Sequence, residues 1–241
     1  MDAVIKLHNL TKAYKNGRGI FDLNLEINKG EIFGFLGPNG AGKTTAMKIM
    51  TGLLKADQGT VELAGYDVST NFEQATSKVG SIIETAECYT YMTAYQNLKQ
   101  SARYYNDVDS KRIDEVLELC GMINFKNERV QNFSLGMKQR IGIANAILSK
   151  PEIIILDEPL NGLDVEGMVD MRKLFKYLAE VEHSTIFISS HLIHDVELTC
   201  NRIGIIFGGR IKSVEYMDKI LSTNSSLENY FISEVNESAA V

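Results

Sequence analysis

Between residues 20 and 27, apolar Phe21, Leu23, Leu25 and Ile27 alternate with Asp22, Asn24 and Glu26. That period of two predicts a strand with one buried and one wet face. Gly30 breaks the alternation, and Ile32–Leu36 follows as an unbroken apolar run, the pattern of a strand covered on both faces. A glycine-rich turn leads into a segment starting at Thr44, where Met47, Met50 and Leu54, with Ile49 and Leu53, recur at helical spacing and Gly52 is placed to end the helix. Residues 60–63, bounded by Gly59 and Gly65, read as a further strand.

From about Glu84 to Lys150 the period becomes helical. Thr93 and Gln96 have the spacing of a capping box ahead of a stripe of Tyr95, Leu98, Ala102 and Tyr105. Asp109 is placed to cap a second helix carrying Ile113, Val116, Leu117 and Cys120 and closed by Gly121. Ser134 is placed to cap a third, with Met137, Ile141, Ala144 and Leu148 on one face. Beyond Pro151, residues 153–156 predict a buried strand, 165–182 a helix, 185–189 and 203–207 strands, and Gly208-Gly209 a hairpin turn into 211–214. The polar, small-residue-rich stretch 222–241 reads as a short helix and a loose end. The expected organisation is one α/β domain. Residues 1–83 and 151–221 form its strand-rich core, 84–150 an inserted helical subdomain and 222–241 a tail.

Hydrophobic residues at 44% and charged residues at 23% are the balance of a folded globular protein. With 25 basic and 31 acidic residues the formal charge is −6, which argues against a dedicated duplex nucleic-acid binder, since neutralising phosphates takes clustered cations. Backbone amides can still hold a nucleotide locally. Cys88, Cys120 and Cys200 are odd in number and widely spaced, and read as small buried side chains in a reducing compartment. The opening MDAVIKLHNLTKAYK lacks the basic-then-apolar pattern of a signal peptide, and no apolar run approaches the ~20 residues of a membrane span. Work at a membrane would go through a partner that supplies the spans.

Residues 37–44 spell GPNGAGKT, the phosphate-loop pattern, between a predicted strand and a predicted helix. Gly37, Pro38, Asn39, Gly40, Ala41 and Gly42 would turn successive amides inward as a cradle for phosphate oxygens over a helix N-terminus. Lys43 would neutralise β and γ phosphates, the Thr44 hydroxyl would ligate Mg²⁺, and Thr45 would join the nucleotide contacts. A nucleoside triphosphate with Mg²⁺ is therefore the expected ligand. Residues 153–158 read IIILDE, a strand delivering Asp157 and Glu158 at its carboxyl end. Asp157 suits the metal side of the site and Glu158 a general base acting on water. No guanine-reading NKxD motif accompanies them.

FSLGMKQR at 133–140 resembles the signature of ATP-binding cassette (ABC) ATPases and lies 157 − 134 = 23 residues before Asp157. PLNGLD, ending at Asp164, resembles their D-loop; His191 after IFISS matches their switch histidine; Tyr14 sits where they stack an aromatic on adenine. The resemblance runs along nearly the whole chain. It implies a P-loop NTPase core with a mostly parallel sheet, an N-terminal antiparallel portion and a helical insertion. It also implies a head-to-tail dimer with a second ATPase subunit, a homodimer in the simplest case. ATP would lie between the Lys43 loop of one copy and Ser134, Gly136 and Asp164 of the other, with His191 at the γ-phosphate. Separate transmembrane permease subunits are implied, with a cytoplasmic location on the inner membrane face through them. Glu84 stands where the family usually has Gln, so a catalytic and metal-side role falls to a carboxylate. That departure and the ending SSLENYF are similar to exporters of lantibiotics and bacitracin. Leu135 and Met137 also depart, replacing a glycine and a glutamine. The Tyr- and Met-rich stretch TAECYTYM, with Tyr89, Tyr91 and Met92, is where the family seats the permease. A soluble cassette acting on ribosomes or DNA, and a P-loop kinase of a small metabolite, are the competing readings. The first usually carries fused cassettes or coiled-coil insertions, and the second has no use for Ser134, Asp164 and His191 together.

Overall fold

A computed structural model describes residues 2–239. Strands β1 (Ala3–Ala13) and β2 (Gly19–Asn28) pair antiparallel, and β4 (Gln58–Leu63) and β5 (Tyr66–Asp67) complete a four-stranded antiparallel sheet in the order β2-β1-β4-β5. The second sheet runs β10 (Arg210–Tyr216), β9 (Arg202–Phe207), β3 (Ile32–Leu36), β8 (Thr185–Ser190), β7 (Ile153–Asp157), β6 (Val79–Ile82). Its strands are parallel except β10, which returns antiparallel through Gly208 and Gly209. Both glycines have positive φ, 57° and 76°, as the predicted hairpin turn requires.

Helix α1 (Lys43–Met50) follows β3, and α2 (Phe72–Thr76) precedes β6. The insertion holds α3 (Ala94–Ala102), α4 (Ser110–Leu119) and α5 (Leu135–Ala146). Helix α6 (Val165–Glu180) lies between β7 and β8, α7 (Ile193–Thr199) between β8 and β9, and α8 (Met217–Thr223) and α9 (Leu227–Ala239) close the described chain.

The alternation of side chains along buried strands divides the core into two. Phe33, Phe35, Ile153, Ile155 and Phe187 face the antiparallel sheet and α1, with Phe187 5.6 Å from Phe33 and 5.4 Å from Phe35 between ring centroids. Ile32, Leu36, Ile154, Leu156, Ile186 and Ile188 face the insertion and the later helices. The insertion is seated directly on the sheet: a Cβ on Gly80 of β6 would lie 1.8 Å from the Ala146 carbonyl oxygen at the end of α5. No helix among the described residues is long and apolar enough to cross a membrane.

Most predicted elements appear within a few residues of their expected bounds. All three insertion caps form: Thr93 and Gln96 make both bonds of the capping box, Asp109 accepts from the Arg112 amide and Ser134 from the Met137 amide. Tyr105 lies beyond the end of α3 and is exposed, so it leaves the expected stripe, and Leu148 is buried beyond the end of α5. The tail differs most from expectation. Residues 217–223 form α8 across the expected boundary at 221/222, and α9 buries Leu227 and packs Tyr230, Phe231 and Val235 on the core. Residues 240 and 241 lie outside the described chain.

Candidate functional site

The carboxyl ends of β3, β7 and β8 lie side by side, Leu36 paired with Ser190 and Asp157 with Ser189. This edge, where loops leave parallel strands, is where α/β sheets bind ligands. The loop after β3 needs its glycines for steric reasons. A Cβ at Gly37 would come within 2.3 Å of the Ile206 carbonyl oxygen, and Gly42, with φ 111°, caps α1 in a left-handed conformation. The β9–β10 turn supports the loop from below, its Gly209 amide donating to the Ala41 carbonyl at 3.1 Å.

Lys43 is 6% exposed and donates to the Gly37 carbonyl at 2.7 Å and to that of Pro38 at 3.4 Å. Its Nζ also lies 3.4 Å from Glu158 Oε1. The Thr44 hydroxyl donates to Asp157 Oδ2 at 2.8 Å, and the Ser189 hydroxyl donates to Oδ1 at 2.5 Å. Ser189 Oγ in turn accepts from the Glu158 amide at 3.0 Å, so one buried hydroxyl fixes both acids. Glu158 has φ 48°, a left-handed backbone that an ordinary residue adopts at a cost of about 1–2 kcal/mol. Its second oxygen, Oε2, sits 2.9 Å from His191 Nδ1 and 3.4 Å from the His191 amide. Glu158 is thus held from two sides, by a cation on the phosphate loop and by an imidazole beyond β8.

Tyr14, Pro38, Asn39, Gly40, Gly42, Lys43, Thr44, Thr45 and Glu158 line one cleft of about 380 Å³. Asn16 and Arg18 line it too, in a turn closed by the Tyr14 amide donating to the Arg18 carbonyl at 2.8 Å. Sequence reasoning missed both, and missed Ser189. Asn16 and Arg18 had a signal in their closeness to Tyr14, whereas Ser189 had only its place before His191.

Glu84 is not among the residues lining this cleft. Its carboxylate, 60% exposed, accepts from Lys48 Nζ at 2.7 Å, and Lys48 stands one helical turn beyond Thr44 on α1. Ser134, Gly136 and Asp164 do not line the cleft. They stand together elsewhere, at the starts of α5 and α6. Asp164 Oδ1 accepts from the Gly167 amide at 2.9 Å, a Cβ on Gly136 would lie 2.9 Å from the Gly162 carbonyl oxygen, and Leu135 lies over Gly162. Glu84 aside, the expected site residues therefore form two separate groups on this chain. Tyr89 and Tyr91 are exposed and in contact, with ring centroids 6.0 Å apart. Tyr91 and Met92 line a cleft of about 410 Å³ with Gln96, Lys99, Gln100 and Arg103.

A sequence model of the family described as ABC transporter matches residues 20–161, more than half of the chain. The chain is 39% identical over 241 residues to the bacitracin transport ATP-binding protein BcrA of Bacillus licheniformis, an alignment covering 100% of this chain and 79% of that protein. It is 36% identical over 232 residues to the lantibiotic transport ATP-binding protein SrtF of Streptococcus pyogenes, covering 96% and 97%. Among solved structures it is similar to the dimeric, post-hydrolysis ATP-binding cassette MJ0796 bound to ADP and Pi, with a TM-score of 0.81 at 27% identity, covering 88% of this chain and 98% of that one.

Proposed function

Because this chain belongs to the ABC transporter family and is its ATP-binding and ATP-hydrolysing subunit, we propose that it powers export of a peptide antibiotic through separate permease subunits. The names of BcrA and SrtF support that choice of cargo. The observation that carries the mechanism is the position of Glu158, with Oε1 3.4 Å from Lys43 Nζ and Oε2 2.9 Å from His191 Nδ1. A triphosphate arriving in the loop draws Lys43 to its β and γ oxygens and releases Oε1 to accept a proton from the attacking water. His191 keeps Oε2 in place and so aims the base. Tyr14 offers its exposed ring to the adenine, and residues 37–45 hold the phosphates through backbone amides and the α1 N-terminus.

Thr44 Oγ1 and Asp157 present hard oxygen donors 2.8 Å apart, a fit to Mg²⁺, which keeps one or two protein oxygens and takes the rest from phosphates and water. Mg²⁺ there would offset charge on the transferring phosphoryl group. Glu84 joins this side of the site on leaving Lys48.

Ser134 and the start of α5 offer a second set of free amides, but they lie outside the first cleft. A nucleotide touching both sets must therefore bridge two copies arranged head to tail, each adding the half that the other lacks. The γ-phosphate stabilises that closed pair and hydrolysis releases it, the two-state cycle of a motor. The Tyr91 and Met92 surface is assigned to the permease, and membrane contact passes through it.

Glu158→Gln tests this reading. It keeps the hydrogen-bonding shape but cannot accept a proton, so turnover falls by about 10²–10⁴-fold while ATP still binds. ATP then holds the variant as a dimer in sedimentation velocity. Normal hydrolysis by this variant removes Glu158 as the base, and a strictly monomeric variant with ATP removes the shared site.

A further inference from the structure

Arg140 lies on the second turn of the helix that Ser134 begins, outside the lining of the nucleotide cleft, and it joins three elements. Its Nη1 donates to the Cys120 carbonyl at the end of α4 at 3.0 Å. Its Nη2 donates to Asp170 Oδ2 on α6 at 3.2 Å. The guanidinium passes through a slot walled by two glycines. A Cβ at Gly121 would lie 2.7 Å from Nη1, and one at Gly167 would lie 3.1 Å from Nη2. Gly167 also supplies the amide that Asp164 caps at 2.9 Å, so the slot lies in the first turn of the helix that Asp164 begins.

A guanidinium suits this place because its planar fork reaches a carbonyl and a carboxylate at once, which the point charge of a lysine does not. The backbone of its own turn accounts for only one of these glycines. Gly121 also has φ 69°, but Gly167 sits in regular helix, where glycine costs about 1 kcal/mol against alanine. Within α6 that cost is offset by the room it leaves for Arg140 and the Asp164 cap.

We propose that Arg140, seated between Gly121 and Gly167, is a positioning residue that locks Ser134 and Asp164 into one rigid half-site before a second copy arrives. The proposal rests on the head-to-tail reading above and adds which residue sets the geometry of the half lacking the phosphate loop. Its signature is a split. Binding of nucleotide to the Lys43 loop of a single copy does not involve Arg140, whereas ATP-driven pairing does.

The test is made in the Glu158→Gln chain, with Arg140→Met and, separately, Asp170→Asn. Asp170 is half exposed, so its amide variant keeps the fold even if Arg140→Met does not. ATP affinity is measured by fluorescence of a labelled nucleotide at protein concentrations too low for pairing, and dimerisation with ATP by sedimentation velocity. ATP affinity should stay within about 2-fold, while the dimer dissociation constant rises by about 10-fold, the scale of a lost network contact. Dimerisation equal to the parent in Asp170→Asn, or a loss of single-copy ATP affinity as large as the loss of pairing, overturns the proposal. A parent that fails to dimerise with ATP refutes the head-to-tail reading instead.

Discussion

Ser189 is the most informative residue to remove, because it is fully buried and its single hydroxyl serves two acids. It donates to Asp157 Oδ1 at 2.5 Å and accepts from the Glu158 amide at 3.0 Å. Ser189→Ala leaves Oδ1 of a carboxylate that is 4% exposed without its donor, while Thr44 still serves Oδ2. The Glu158 amide keeps the Ser189 carbonyl at 3.2 Å and is not orphaned. The loss is therefore one charge-assisted bond, about 2 kcal/mol. For a domain of this size that lowers Tm by roughly 4–8 °C. Because the phosphate loop is untouched while Asp157 and Glu158 lose their common anchor, kcat should fall by about tenfold with KM little changed. Thermal melts followed by circular dichroism and steady-state ATPase assays read the two effects. A variant with wild-type Tm and wild-type kcat would falsify the view that this hydroxyl organises the acids.

Two further outcomes follow from packing and burial. Gly80→Ala places a methyl against the backbone of α5, where no rotamer can relieve it, and should cost about 3 kcal/mol in urea unfolding. Gly30→Ala has φ 79° but open space around it, and should cost only about 1 kcal/mol; equal midpoints for the two variants would contradict the seating of the insertion on β6. Burial pushes the Cys120 and Cys200 thiols up to about 12 from an ordinary value of 9.0. The unfolded chain ionises them first, so stability is intact below pH 9 and declines as pH rises from 9 toward 12. A Cys120→Ala chain should lose less stability than the parent between pH 8 and pH 10.5, and parallel losses would show that Cys120 does not contribute.

What the sequence made legible was what short-range chemistry dictates. The phosphate loop, the IIILDE strand and the three caps each need only a handful of neighbours, and their geometry follows from residue types at fixed offsets. β1 was harder to read, since Asn9 has φ 48° and its register with β2 shifts near Leu10, which breaks the alternation of a regular strand. α7 packs on β3, and α9, longer than the short helix expected in the polar, small-residue-rich stretch 222–241, packs on β9 and β10, long-range contacts that a local pattern does not announce. Ser189 and Gly209 act across 32 and 168 residues of chain, on Asp157 and Ala41, and no local pattern marks a residue whose role lies in a neighbouring strand.

The same distinction explains why the signature reads so plainly as a motif yet does so little within one copy. Ser134 and Asp164 spend their side chains on capping their own helices, and Arg140 ties those helices together. Their side-chain bonds within this chain hold the starts of α5 and α6 and the end of α4 in fixed relation. A helix start with free amides is an anion site whether or not an anion can be supplied by the same chain. Asp157, Glu158 and His191 stand with the phosphate loop, so the proposed reading joins hydrolytic chemistry and phosphate recognition in one group and leaves the amides of α5 to the other. On the head-to-tail reading proposed above, a division that separates catalysis from its second clamp makes pairing the event that the triphosphate controls. It also predicts that variants of the two groups complement one another. A Lys43→Ala chain mixed with an Arg140→Met chain should restore one intact shared site per heterodimer, and with it ATPase activity above the sum of the two chains assayed alone.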